Sequence, residues 1–171
     1  MPDIASLIAQ IGSTPDCSLM PATGLPSLPS GLDLPPDLRQ FYELCGGCVI
    51  YGRRIRPAPA RIVGPQELQR IDLTICGDTI SPGPFQFWFA IADVADGNYI
   101  AIDLHPHHRG KCYDCFHETF TIPGYVNIIA SSFADLLSRL LHHTEDSSFW
   151  LEDDFQALGE AFRLYGHEPV V

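Results

Sequence analysis

The sequence is short of positive charge and empty of reaction motifs. Ten lysines and arginines stand against 21 aspartates and glutamates, for a net charge of −11. A chain this acidic repels nucleic acid, whose binding rests on phosphate neutralisation. It contains no G-x-S-x-G, no H-E-x-x-H and no glycine-rich phosphate loop. No internal repeat is found, and no apolar run approaches the roughly 20 residues of a membrane span. The start, Met1-Pro2-Asp3-Ile4, lacks the basic opening of an export signal. These absences lead to the expectation of a soluble cytoplasmic protein that is not an enzyme. It should need no cofactor and have neither nucleic acid nor membrane as partner.

What is present is a globular composition. Hydrophobic residues make up 46% and charged residues 18% of 171 positions, enough for one domain with a proper core. The clearest pattern runs through residues 85–141. Phe85-Gln86-Phe87-Trp88-Phe89-Ala90-Ile91 and Tyr99-Ile100-Ala101-Ile102-Asp103 flank Asp96-Gly97. Asp-Gly is a strong two-residue hairpin turn, because both central residues need positive φ. Folding there pairs Ile91 with Ile102, Phe89 with Leu104, Ala92 with Ala101 and Ala90 with Asp103. One face then holds Phe85, Phe87, Phe89, Ile91, Ile100, Ile102 and Leu104 and is core. The other, with Trp88, Tyr99 and Asp103, is half open.

A third strand is expected within 110–118 and a fourth within 126–130. A helix follows, since Phe133, Leu136, Leu137, Leu140 and Leu141 form one apolar stripe behind the cap Ser132. Further helices are predicted over 3–11, 35–45 and 149–165. The last of these carries Leu151, Phe155, Leu158, Phe162 and Tyr165 on one side. Residues 12–34 read as an irregular arm rich in Pro, Gly and Ser. Residues 52–84 are punctuated by Pro and Gly, with a short strand near 61–63 and a helical turn at 66–71. The extents are therefore 1–33, a helix and arm, and 34–171, the main domain with its C-terminal helix.

Six cysteines are best taken as free thiols in a chain without an export signal. The competing reading is a closed zinc site of Cys45, Cys48, Cys112 and Cys115, a CxxC…CxxC set. Three features oppose it. The pairs are separated by 63 residues. Cys112 and Cys115 sit in a strand-like run, where residues three apart point to opposite faces. Cys45 already belongs to the apolar stripe of its helix. His105-Pro106-His107-His108 reads as a solvated loop tip. Glu145-Asp146 and Glu152-Asp153-Asp154 suit the start of the last helix, where they favour its dipole, and they could also meet a basic partner. No sequence feature selects a cysteine nucleophile.

Leu34-Pro35-Pro36-Asp37-Leu38-Arg39-Gln40-Phe41-Tyr42 followed by Gly46-Gly47 resembles the opening helix and turn of the SMI1/KNR4 family of the SUKH superfamily. The blocks 88–92, 97–103, 110–114 and 131–137 are similar to its later blocks, in the same order. The long N-terminal arm, the cysteine pairs and Cys45 before the glycine pair depart from the pattern. The resemblance implies an α+β domain, a mainly antiparallel sheet flanked by helices. Bacterial members look like immunity proteins that neutralise a cognate toxin, and fungal relatives are linked to cell-wall regulation. Both roles work through protein contacts. The expected function is therefore a non-enzymatic binding module, an immunity protein with a basic toxin domain as partner. A regulatory scaffold and a small zinc or thiol protein are the alternatives. The expected contact surface is Trp88, Asp93, Asp96, Tyr99 and Asp103 on or beside the hairpin, with Asp114 and Glu118 on the next strand.

Overall fold

Seven antiparallel strands form one sheet in chain order: β1 Ser18–Leu19, β2 Cys48–Ile50, β3 Ala60–Ile62, β4 Trp88–Asp93, β5 Tyr99–Asp103, β6 Cys112–Cys115 and β7 Ile128–Ala130. Among the described residues four α-helices join them: α1 Ile4–Ser13, α2 Pro36–Leu44, α3 Ile71–Cys76 and α4 Phe133–His142. The architecture is the α+β one expected. It is seen in a computed structural model that describes residues 3–166. The outermost ends of the two predicted extents, residues 1–2 and 167–171, lie outside the described residues.

One face of the sheet carries α1, α2 and α4. Phe89, Ile102, Phe133 and Leu137 lie in a single buried cluster there, as the stripe of α4 and the face pattern of the hairpin predict. Local chemistry fixes each helix start. The Asp3 carboxylate accepts from Ser6 N at 2.9 Å and caps α1. Ser132 Oγ accepts from Asp135 N at 3.1 Å and caps α4. The return bond goes to the neighbouring residue, since Asp135 accepts from Ser131 N. Asp37 serves two helices at once, taking Leu38 N at 2.9 Å in α2 and Ala134 N at 2.8 Å in α4. A carboxylate between two helix N-termini meets both positive dipole ends. The far end of α4 is held too, because Tyr51 donates to Leu141 O at 2.6 Å and Arg54 to His143 O at 3.1 Å.

Four expectations need correction. The Asp96-Gly97 turn is present, with positive φ at both residues, but the hairpin register is not the one predicted. Trp88 pairs with Asp103, Phe89 with Ile102, Ala90 with Ala101, Ala92 with Ile100 and Asp93 with Tyr99. Two irregularities cause the displacement. Ala95 also takes positive φ beside the turn, and Ile91 bulges between Ala90 and Ala92. The bulge lets Ile91 and Ala92 both enter the first core. Phe85 and Phe87 leave that face, because residues 84–88 form a turn with Phe87 N bonded to Pro84 O at 2.9 Å.

Second, the other face is not half open along its length. Trp88, Ala90, Ala101, Tyr113 and Cys115 lie in a second core with Phe85, Phe120, Ile128 and Phe162. Third, the predicted helix over 149–165 is two short 3-10 turns, Phe149–Leu151 and Ala161–Tyr165. Between them the chain runs beside β7, with Leu158 N on Ile128 O and Ile128 N on Gly159 O, both at 2.9 Å. Gly159 at φ +134° gives the backbone a conformation a helix cannot hold. Fourth, β1 lies within the stretch 12–34 read as an irregular arm, where it pairs with β2, and β2 and α3 have no counterpart in the sequence pattern. They are too short to declare themselves against the Pro and Gly around them.

Phe133 is wholly buried with its ring 5.0 Å from that of Phe41. Phe133→Ala should cost about 3–5 kcal/mol of unfolding free energy in denaturant titration. A loss below about 1 kcal/mol would mean that α4 does not seat on the sheet through this ring.

Candidate functional site

The expected contact residues separate into three groups. Trp88 and Asp103 are buried at 0% exposure and belong to the interior. Trp88 packs edge-on to Tyr113 and Phe162, with ring centroids 4.9 and 5.1 Å away. The Asp103 carboxylate accepts from the Tyr113 hydroxyl, from Tyr165 Oη at 2.7 and 2.8 Å, and from His105 N at 2.8 Å. Burial pushes its carboxyl above the usual range, and these donors pull the other way. Neither side chain is offered to a partner, and both are corrected from contact residues to structural ones. Alternation along the strands puts them on one face, but it cannot show that the chain covers that face.

Asp114 lies on the opposite face, among the residues aligned with Cys112 and Ile100. It is half-buried. Burial lifts its pKa to about 6, opposed by the Trp150 indole N–H beside it.

The remaining four do gather at one end of the sheet. Asp93 sits opposite Tyr99, accepts from Ala95 N at 2.9 Å and lies 3.7 Å from Arg61. Arg61 also binds Glu67 at 2.9 Å, so Asp93 is partly neutralised. Tyr99, Arg61 and Glu67 line a cleft of about 360 Å³. Asp96 is exposed at the turn. Glu118 is exposed close by, because its neighbour His117 donates its backbone N–H to Asn98 Oδ1 at 3.1 Å.

The cysteines do not converge. Cys45, Cys48 and Cys112 lie in the first core and Cys115 in the second, across the sheet. Burial raises the thiol pKa of all four. Among the described residues no group of three or more His, Cys, Asp or Glu is placed to hold a metal. The histidine loop is a solvated tip only in part: Pro106 and His107 are exposed, while His105 and His108 are half-buried. His105 packs 4.6 Å from Phe87 and stacks 4.8 Å from His108, whose ring meets Tyr165 at 4.9 Å.

The acidic run at 145–154, read in the sequence as a helix start that could also meet a basic partner, forms a second exposed acidic surface. The 3-10 turn Phe149–Leu151 folds back over the end of α4 and leaves an open cleft of about 790 Å³. Glu145, Glu152, Asp153 and Asp154 line it together with Arg139, His142 and His143, and Phe149 and Phe155 form its apolar wall. Glu152 is tied to Ser147 and lies 3.6 Å from His143. Among the described residues no cation stands within ion-pair distance of Glu145, Asp146, Asp153 or Asp154. The acidic run is visible in the sequence as a signal, but periodicity sets it on a helix that does not form.

A carboxyl group at about pKa 6 makes stability depend on pH. Its folded pKa exceeds the unfolded value, so the stabilisation is full below about pH 4 and lost as pH rises through about 6. Denaturant unfolding of wild type and Asp114→Asn should therefore diverge on acidification. Between about pH 7.5 and about pH 4 the difference should move towards wild type by on the order of 2 kcal/mol. A difference that stays flat would show that Asp114 titrates normally.

Comparison with known proteins adds to this geometry. The family model described as SMI1 / KNR4 family (SUKH-1) matches residues 29–139. Immunity protein YokJ of Bacillus subtilis (strain 168) is 39% identical to the chain over 159 residues, which cover 93% of this chain and 95% of that protein. No solved structure matches the chain.

Proposed function

The chain belongs to the SMI1/KNR4 (SUKH-1) family, and on that premise we propose that it is an immunity protein, a non-enzymatic module that binds and neutralises a cognate bacterial toxin. One observation carries the reading: the 39% identity to Immunity protein YokJ spans 93% of the chain. It therefore reaches beyond the family match at 29–139 into the flanking segments. An immunity role needs a surface rather than a reaction centre. The buried titratable groups agree with that, because they are spent on structure. Asp103 holds tyrosines, and the buried Asp72 pairs with Arg70 and accepts from Ile80 N at 2.7 Å.

The partner we propose is a basic toxin domain met in the cytoplasm. Net charge −11 supports this, since opposite charge steers two proteins together. Among the described residues no helix is long and apolar enough to cross a membrane. Two exposed acidic surfaces are open to such a partner, the hairpin end and the cleft beside Phe149–Leu151.

Co-expression with a candidate toxin domain from the same genome tests the proposal. Cells should survive the toxin only when the protein is present, and the two should elute together on a sizing column. Raising salt should weaken the complex mainly by slowing association. Death of the cells despite soluble, folded protein, with no joint elution, would end the immunity reading.

A further inference from the structure

The loop between β5 and β6 concentrates basic side chains in an acidic chain. His105, His107, His108, Arg109 and Lys111 all fall within residues 105–111. The three imidazoles stand in one group. The ring of His105 is stacked 4.8 Å from that of His108 and lies 5.4 Å from that of His107. The same rings grip the C-terminal turn. Tyr165 meets His108 at 4.9 Å and His105 at 5.5 Å, both edge-on, and Phe87 backs His105 at 4.6 Å. Tyr165 Oη also donates to Asp103. Imidazoles and carboxylate therefore hold Tyr165, and Tyr165 ends the turn that lays Phe162 on the second core.

We propose that the His105–His108 loop is an acid-sensitive clasp: neutral imidazoles keep the C-terminal turn on the sheet, and their protonation releases it. Geometry sets the direction. As pH falls through about 6.5, the ordinary imidazole value, three charges are added to those of Arg109 and Lys111. Like charges then face one another across the 4.8 and 5.4 Å ring separations. Few groups of opposite sign offset them. Asp33, on the arm, is exposed and lies 3.8 Å from Arg109. Asp103 lies 3.7 Å from His108 Nδ1, but its oxygens already take hydrogens from Tyr113, Tyr165 and the His105 backbone. That Nδ1 is buried and makes no hydrogen bond among the described residues. A charged His108 would thus sit among rings against one occupied carboxylate.

The proton balance follows from these neighbours. Burial holds the His108 imidazole below its usual range; Asp103 pulls the other way, and His105, His107 and Lys111 add to the lowering. The folded value lies below the unfolded one. His108 therefore favours the closed state above about pH 6.5, and that contribution is lost as pH falls. Burial raises the hydroxyls of Tyr113 and Tyr165, which stay neutral throughout. Asp103 has the opposite sign to His108, because burial favours its protonated form. Its protonation also removes the counter-charge nearest His108. Three imidazoles against one carboxyl give net opening on acidification.

Hydrogen exchange of the full chain tests the clasp. Protection of residues 158–166 is compared with that of β5 at about pH 7.5 and about pH 5, corrected for the intrinsic pH dependence of exchange. Acid should lower protection of 158–166 about tenfold or more relative to β5, the factor that one unit of pKa shift represents. His105→Phe with His108→Phe keeps two flat rings that cannot be charged, and should erase this pH dependence. An NMR pH series on wild type needs no variant to fold, and in it the His108 ring should titrate below that of exposed His107. Protection of 158–166 that tracks β5 at both pH values overturns the inference. So does opening that persists unchanged in the doubly substituted chain, or a His108 ring that titrates with or above His107.

Discussion

The structure turns on the carboxylate of Asp103, buried in the middle of the sheet with no arginine or lysine beside it. Two tyrosine hydroxyls and the His105 backbone N–H donate to it, and a histidine ring stands 3.7 Å away. A buried carboxylate without such donors is expensive, and each donor removed would leave that cost exposed. The donors come from three places. Tyr113 is on β6, His105 begins the loop after β5, and Tyr165 ends the last 3-10 turn. One acid therefore ties the C-terminal turn to the sheet. That turn brings Phe162 onto Trp88 and closes the second core. Without it the aromatic side of β4–β6 would face water.

The first core depends on a different arrangement with the same logic. α4 is fixed at its start by Ser132 and Asp37 and at its end by Tyr51 and Arg54. Tyr51 and Arg54, which satisfy the last carbonyls of α4, also line a narrow slot of about 30 Å³ against Trp150, so the same contacts that end the helix seat the turn that follows it.

Legibility in the sequence follows the length of each signal. The apolar stripe runs the whole of α4, and it predicts the element, its cap and the core cluster. The Asp96-Gly97 turn is equally plain, yet its register is not. Ala95 at positive φ and the bulge at Ile91 are set by pairing with β3 and β5, and no local residue type announces them. Alternation places Trp88 and Asp103 on the right face with the wrong exposure, since their cover, Phe162 and Tyr165, lies far along the chain. That cover is itself disguised. Leu151, Phe155, Leu158 and Phe162 repeat with a helical period, but Gly159 and the hydrogen bonds to β7 outweigh it. Short elements such as β2 and α3 gain their stability from tertiary contacts, which periodicity does not record.

The distribution of charge says more than its sum. Net charge −11 is compatible with simple solubility as well as with a basic partner, and the sum does not decide between them. Position changes the argument. Asp72 and Asp103 are interior and satisfied, while Asp37, Asp93 and Asp135 hold backbone amides or arginines. Glu145, Asp146, Asp153 and Asp154 do none of this. Acids committed inside the chain hold the fold, and acids left uncommitted at its surface set the negative charge that solvent and any partner meet.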